Sequence, residues 1–112
     1  MKKLLIASAA LLLAAPAQAV DYVACEAMQR ANDRLVAARQ RDLAAAGAKV
    51  NRDFQNAKCG QFEALSSAWS KCLLEAGFPS DEDYRKVHDP IRAQYAVKIE
   101  KLQADYTKAG CI

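Results

Sequence analysis

Four cysteines, Cys25, Cys59, Cys72 and Cys111, are the residues of this 112-residue chain best suited to covalent or metal chemistry. No two of them form a Cys-x-x-Cys pair, the spacing used by redox-active dithiols and by many zinc sites. Zinc would also require histidines, and His88 is the only histidine in the chain. An even number of cysteines in a small secreted domain is typical of structural disulfides. We therefore expect two disulfides and neither a metal site nor another cofactor.

The first nineteen residues are the reason for expecting a secreted domain. Two lysines precede an apolar run over residues 4–15, and Ala17 and Ala19 give the small-x-small pattern of a signal-peptidase site. The sequence predicts a cleaved signal peptide over residues 1–19 and a single domain over 20–112, periplasmic or secreted. Since the apolar run is too short for about 30 Å of hydrocarbon and no second long run follows, we expect no membrane span.

Cys25 has one alternative role, because the segment 22–25 loosely resembles the box at which bacterial lipoproteins are acylated. A lipoprotein box abuts the apolar run and usually begins with leucine, whereas Tyr22 begins this segment and Pro16 and Asp21 separate it from the run. Acylation of Cys25 would also leave an odd number of thiols. We therefore favour a disulfide for Cys25.

Charge composition limits the class of partner. The whole chain carries 16 basic and 13 acidic residues, and the signal peptide contains two of the lysines. The mature chain therefore has 14 basic residues against 13 acidic ones, a net charge of +1. A nucleic-acid-binding domain is usually clearly basic, so we expect no nucleic-acid partner.

Helices are expected to position these residues, because no segment alternates between polar and apolar side chains with period two. The first predicted helix covers about Tyr22 to Ala46, and Gly47 follows as a C-terminal stop. The second begins after the cap residue Asn51 and ends at Ala76. Its predicted apolar face consists of Phe54, Phe62, Leu65, Trp69, Cys72, Leu73 and Ala76.

Gly60 leaves the start of the second helix open. A glycine in a helix interior costs about 1 kcal/mol relative to alanine, so the helix could instead begin near Gln61. A small residue beside Cys59 would equally let the C-terminal segment approach closely, and we favour this second explanation. At the other end of the helix, Gly77 permits a left-handed turn and Phe78 should fold back on Leu73, while Pro79 prevents continuation.

Two start signals follow in the C-terminal third. Ser80 and Asp83 resemble a capping box and predict a short helix. Asp89 as an N-cap and Pro90 at the first helical position predict a third helix, which Gly110 ends. The fold class is therefore expected to be all-α: a small up-down-up three-helix bundle with a short extra helix before the third helix, stapled by two disulfides.

The pairing of the cysteines follows from these helices. Cys59 and Cys72 lie thirteen residues apart on one predicted helix, about 20 Å, too far for a bond. In an up-down-up bundle the start of the first helix lies beside the end of the second, and the start of the second beside the end of the third. The prediction is Cys25 with Cys72 and Cys59 with Cys111, each bond closing a loop of about fifty residues.

No catalytic constellation is recognised, so we expect no enzyme. His88 stands alone and is expected to be structural or exposed. Ser66, Ser67 and Ser70 surround Trp69 but lack a nucleophile elbow and a second histidine. The paired carboxylates Asp81 and Asp83 lack the spacing of a calcium loop, and complementing a helix dipole accounts for them more simply.

A partner surface is the remaining possibility. Arg30, Arg34 and Arg41 recur at helical intervals and could meet acidic groups of a partner, although a solvated helix flank is the simpler interpretation. Trp69 and the four tyrosines are expected in the core rather than at an interface. These tyrosines are Tyr22, Tyr84, Tyr95 and Tyr106.

Binding to another exported or envelope protein is the expected function, because neither a catalytic group nor a cofactor site is recognised. Inhibitors, immunity proteins and chaperones of the envelope share the expected small size, helices and disulfides, but no residue motif assigns the chain to any of them. A carrier that holds a small apolar ligand between the helices is the alternative.

Overall fold

The computed structural model describes residues 19–111, which form three α-helices and no strand. Helix α1 covers Tyr22–Cys59, α2 covers Ser67–Ala76 and α3 covers Asp81–Lys108. Two disulfides are formed by the four cysteines. The predicted all-helical fold with three helices and two disulfides is thus confirmed. The predicted signal peptide lies outside the described residues except for Ala19.

Helix α1 is 38 residues long and continues through the predicted stop at Gly47. The predicted boundary was wrong, because Gly47 lies in the interior of the helix and faces α3. A Cβ atom built on Gly47 would lie 3.4 Å from Nε2 of His88. Asn51, the predicted cap, lies within the same helix, and its Oδ1 accepts a hydrogen bond from the Tyr84 hydroxyl. Packing between helices therefore overrides the local preference of one glycine, which is worth about 1 kcal/mol.

The predicted second helix is interrupted between Cys59 and Ser67. Helix α1 ends at Cys59, and the Gly60 amide donates to the Asn56 carbonyl at 3.0 Å. A Cβ atom on Gly60 would overlap the carbonyl oxygen of Asn56. The close approach to Gly60 is therefore made by α1, and not by the C-terminal segment as expected. Gly60 therefore lies before α2, which starts after the N-cap Ser66.

Helix α2 ends as predicted at Gly77, but the residue after it behaves differently. Gly77 has a φ of 79°, a conformation that favours glycine, and its amide donates to the Leu73 carbonyl at 3.3 Å. The side chain of Phe78 is 87% exposed. The expected packing of Phe78 on Leu73 was therefore wrong, and the turn directs this aromatic ring into solvent.

Helix α3 contains both predicted start signals in one continuous element. The capping box is confirmed, because the Ser80 amide donates to Oδ2 of Asp83 at 3.1 Å and the Asp83 amide donates to Oγ of Ser80 at 3.2 Å. The predicted restart at Asp89 and Pro90 was wrong, since α3 runs through Pro90. Contacts that α1 makes with His88 and Tyr95, on either side of the proline, stabilise the helix there.

The chain forms two compact units. Unit 1 contains the described residues up to Asp33 together with those from Ile99 onward, and unit 2 contains Arg34–Lys98. In unit 1 the start of α1 lies beside the end of α3, and in unit 2 the rest of α1 packs against α2 and the first part of α3. Each unit is therefore built on antiparallel helix contacts.

Burial is shallow in the described residues. Three of them are buried, and these are Cys25, Cys59 and Tyr95. Apolar side chains spaced along α1 and α3 are only half-buried, and these include Met28, Leu35 and Leu43 of α1 and Ile91, Ile99 and Leu102 of α3. Because so little apolar surface is buried, disulfides and polar contacts between helices supply much of the stability that a hydrophobic core supplies in larger domains.

Candidate functional site

The disulfides pair differently from the prediction: Cys25 bonds Cys111 in unit 1, and Cys59 bonds Cys72 in unit 2. The predicted pairs were wrong because they assumed one continuous helix through Cys59 and Cys72. Residues 60–66 instead form a loop that reverses the chain, so α2 lies along the last turns of α1. This brings the Cα atoms of Cys59 and Cys72 to 5.9 Å, an ordinary separation for a disulfide.

The loop of residues 60–66, hereafter the 60–66 loop, is ordered by backbone hydrogen bonds. The Phe62 amide donates to the Cys59 carbonyl at 3.1 Å, and the Ser66 amide donates to the Glu63 carbonyl at 3.1 Å. Oγ of Ser66 then accepts from the Trp69 amide at 3.1 Å and caps α2. The Cys59–Cys72 disulfide closes this segment.

Leu65 has an unusual backbone conformation in the 60–66 loop. Its φ is 68°, and it is the single non-glycine residue with positive φ in the described part of the chain. Its side chain is 84% exposed. A left-handed backbone costs an L-residue about 1 to 2 kcal/mol, and an exposed leucine gains no packing in return. The sequence prediction that Leu65 and Phe62 belong to an apolar helix face was therefore wrong.

An apolar groove lies beside α2 in unit 2. It has a volume of about 690 Å³ and includes the exposed side chains of Leu74 and Phe78, which are 86% and 87% accessible to solvent. Its other lining residues are Asn51, Phe54, Gln55, Ser70, Leu73, Gly77, Pro79 and Tyr84. Groups of exposed apolar side chains around a concave surface are typical of binding sites.

Tyr95 and Asp42 form a polar contact between α1 and α3 in unit 2. The Tyr95 hydroxyl donates to Oδ2 of Asp42 at 2.6 Å. This hydrogen bond, together with burial and the charge of Asp42, raises the pKa of Tyr95 above its ordinary value of 10.0. Both groups are thus engaged in joining the helices, which is a structural arrangement.

His88 also contacts α1 from α3. Its Nε2 lies 3.1 Å from the Leu43 carbonyl oxygen, and because a carbonyl only accepts, Nε2 carries the proton and donates. The ring stacks on Tyr84 with centroids 6.1 Å apart. These contacts account for His88 as a packing residue.

Unit 1 contains a smaller groove of about 230 Å³ between α1 and α3. Its lining combines Met28, Leu102 and Tyr106 with the side-chain amides of Gln29, Asn32 and Gln103. Oδ1 of Asn32 is enclosed and has no hydrogen-bond partner among residues 19–111. The groove is too small for a drug-sized ligand, whose pockets usually exceed about 300 Å³.

The three arginines predicted as a partner surface are all exposed. Arg30 belongs to unit 1, where its Nη1 lies 3.3 Å from Oε1 of Glu26. Arg34 and Arg41 belong to unit 2 and are also exposed. An exposed ion pair such as Arg30–Glu26 contributes little to stability. The three arginines remain a candidate partner surface.

The remaining polar candidates have structural partners or lie in solvent. Ser66 caps α2, while Ser67 and Ser70 are exposed. The backbone amide and then the hydroxyl of Ser80 lower the pKa of Asp83 below its ordinary value of 3.8 by stabilising the carboxylate. Asp81 lies in the first turn of α3, where its charge complements the helix dipole.

Within residues 19–111, no group of three or more His, Cys, Asp and Glu side chains is placed to hold a metal ion. No helix in that range combines the length and apolar character needed to cross a membrane. No known protein family, curated protein or solved structure matches the chain.

Sequence reasoning missed the most exposed apolar residues of unit 2, which are Leu65, Leu74 and Phe78. The exposure of Leu65 depends on the break in the helix at residues 60–66, which the prediction of a continuous helix through Gly60 concealed, whereas the exposure of Phe78 follows from the turn at Gly77. The available signal was Gly60 itself, because a glycine next to a cysteine is compatible with a turn closed by a disulfide.

Proposed function

We propose that this protein is exported, has no enzymatic activity, and acts by binding another exported or envelope protein through the 60–66 loop. Two structural disulfides support the export, since such bonds persist in oxidising compartments. The contacts of His88, Asp42 and Ser66 support a role without catalysis, because each side chain already has a structural partner.

The conformation of Leu65 carries this proposal. Asparagine or glycine would occupy a backbone with φ of 68° at lower cost, and the leucine side chain is 84% exposed and adds nothing to packing. A residue that lowers stability and yet presents a large apolar group to solvent is best explained by a partner with an apolar pocket. Phe62 lies in the same loop and is 38% exposed, which enlarges the apolar contact.

The Cys59–Cys72 disulfide supports the same role, because it fixes the loop before binding. A loop held in its binding conformation loses less conformational entropy on association than a flexible one. The two turns that end at Phe62 and Ser66 restrict the loop further. The backbone that carries Leu65 is therefore restrained before a partner binds.

Partner capture with two matched baits tests the proposal. Immobilised mature protein and its Leu65→Asn variant are each exposed to envelope extract, and any protein retained by the first bait alone is purified. Calorimetry then measures its affinity for the wild type, for Leu65→Asn and for Val97→Asn. Val97 is 69% exposed on α3 and serves as a control for loss of an exposed apolar side chain.

The expected result is a loss of affinity of about tenfold or more for Leu65→Asn and a change within about twofold for Val97→Asn. Identical captured proteins for both baits, or equal affinities for both variants, would contradict the loop as the binding element.

A carrier of a small apolar ligand is a second candidate, favoured by the groove beside α2. Its volume of about 690 Å³ is within the range of ligand pockets. Mass spectrometry of extracted natively folded protein would show a bound apolar molecule. Substitution of Leu74 by lysine should then abolish ligand retention while Leu65→Asn leaves it intact, since Leu74 lines the groove and Leu65 does not.

A further inference from the structure

The groove beside α2 in unit 2 has walls on two helices. The wall on α1 consists of residues at the spacing i, i+3 and i+4, which places side chains on one helix face, and these residues are Asn51, Phe54 and Gln55. The wall on α2 has the same spacing and includes Ser70, Leu73 and Leu74. All ten residues that line the groove are uncharged at neutral pH.

Lys58 extends the α1 wall by one helical turn and adds a positive charge to it. It lies four residues after Phe54 and seven after Asn51, so its side chain belongs to the same face of α1. Its Nζ lies 5.7 Å from the centroid of the Phe54 ring, which lines the groove. None of the five ion pairs within residues 19–111 uses Lys58. An anion in the groove could therefore pair with this ammonium group.

The end of the groove near Lys58 is polar. Lys58 precedes Cys59, and the Cys59–Cys72 disulfide brings this end of α1 beside α2. Ser70 lies two residues before Cys72 and contributes a hydroxyl to the lining, and Gln55 contributes a carboxamide from α1. A headgroup at Lys58 would therefore also meet neutral hydrogen-bond donors.

The other end of the groove is apolar. Leu74 and Phe78 line it and are 86% and 87% exposed. The polar groups at this end already bond each other, because the Tyr84 hydroxyl donates to Oδ1 of Asn51. Asn51 and Lys58 are about 10 Å apart along α1, so the groove changes from apolar to polar over about two helical turns.

The two ends of the groove together select the chemistry of a ligand. An apolar chain on Leu74 and Phe78 removes both side chains from water, and a carboxylate accepts a charge-assisted hydrogen bond from Lys58. A neutral molecule would leave Lys58 without a partner, and Lys58 would repel a cationic amphiphile. A single ammonium group matches a headgroup with a single negative charge.

We propose that the groove beside α2 binds a medium-chain fatty acid as its carboxylate, with the headgroup at Lys58 and the chain on Leu73, Leu74 and Phe78. Charge complementarity at Lys58 identifies the occupant as an anion. The proposal rests on the second candidate function, that of a ligand carrier, and names the class of ligand carried.

Three ligands with the same alkyl chain and different headgroups test the proposal, namely decanoate, decanol and decylammonium. Calorimetric titration of the oxidised mature protein at neutral pH measures the affinity for each. Decanoate should bind about fivefold more tightly than decanol, the effect expected of one ion pair at a partly exposed site. Decylammonium should bind more weakly than decanol.

Two lysines provide a matched pair of variants. Lys58→Gln should bind decanoate and decanol equally, because it removes the charge and keeps a polar side chain. Lys98 also lies over an aromatic ring, with its Nζ 5.5 Å from the centroid of Tyr95, and is not among the residues that line the groove. Lys98→Gln should therefore bind both ligands like the wild type. Leu74→Asn removes apolar contact and should weaken both ligands several-fold, and circular dichroism checks that each variant is folded.

The outcomes separate the choice of headgroup from the carrier role. Equal affinities of the wild type for decanoate and decanol, or the same loss in Lys98→Gln as in Lys58→Gln, would overturn the proposal and leave the groove as a carrier of apolar molecules. If neither ligand binds, the proposal and the carrier role are both wrong. Leu65→Asn should bind decanoate like the wild type, so partner capture tests the 60–66 loop independently.

Discussion

The hydroxyl of Tyr95 donates a hydrogen bond to the carboxylate of Asp42, 53 residues earlier in the chain, at 2.6 Å. Tyr95 is the largest buried side chain in the described residues. Its aromatic ring and its hydroxyl therefore both contribute to the contact between α1 and α3 in unit 2, where apolar burial is otherwise shallow.

Removing this hydrogen bond should destabilise the protein. Tyr95→Phe keeps the ring but leaves the Asp42 carboxylate without its donor, so we expect a fall of several degrees in the thermal midpoint at pH 7. The raised pKa of Tyr95 means that the folded state favours the neutral phenol. The contribution of Tyr95 to the free energy of unfolding is therefore fully present below pH 10.0, and it is lost as pH rises through the pKa of the folded state. Calorimetry should therefore show a smaller loss of stability above pH 10 for Tyr95→Phe than for the wild type, and equal losses would contradict the assignment.

The two disulfides should differ in their contribution to stability. Cys25 and Cys111 are 86 residues apart and Cys59 and Cys72 are 13 apart. From the loop entropy of the unfolded chain, we expect losses of about 4.5 and about 3 kcal/mol respectively when each pair is replaced by serine. Urea denaturation of the two double variants measures both values. A greater loss for the shorter loop would show that its native contacts, and not chain entropy, dominate.

The capping box at the start of α3 should give a pH-dependent contribution. The lowered pKa of Asp83 adds stability that is present above pH 3.8 and is lost as pH falls through the folded pKa. Ser80→Ala removes the hydroxyl partner and should cost about 1 kcal/mol at pH 7. Asp83→Asn should flatten the decline of stability in the acid range. Denaturant titrations from pH 7 to pH 2 check both effects, and an unchanged acid profile for Asp83→Asn would contradict them.

Two glycines should respond oppositely to alanine. Gly60→Ala places a Cβ atom against the Asn56 carbonyl, so it should disturb the end of α1 and lower stability. Gly47→Ala lies inside α1, and its Cβ would reach His88 at van der Waals distance, so helix propensity should raise stability by about 0.5 to 1 kcal/mol. Urea denaturation measures both. A loss for Gly47→Ala would show that the contact with His88 is tighter than described.

Sequence signals formed by neighbouring residues predicted helix ends correctly where no contact with a distant residue opposed them. The Ser80–Asp83 capping box and the stop at Gly77 depend on neighbouring residues only, and both are found where expected. The stop at Gly47 and the restart at Pro90 failed, because contacts with distant residues override them.

The disulfide pairing failed for a related reason. Gly60 indicated that a break in the second helix was possible, yet no residue in the sequence predicts that the chain reverses direction there. The exposure of Leu65 followed from that break, so the candidate binding loop could not be predicted without it.

The stability of Leu65→Asn tests most directly the claim that Leu65 serves a partner and not the fold. Asparagine tolerates a φ of 68°, so the variant should unfold with a free energy about 1 kcal/mol higher than the wild type in urea. Leu74→Asn provides the matched control, because it exchanges an equally exposed leucine within helix α2 and should lower stability slightly. A lower stability for Leu65→Asn would show that the leucine side chain supports the folded loop, and would contradict the claim.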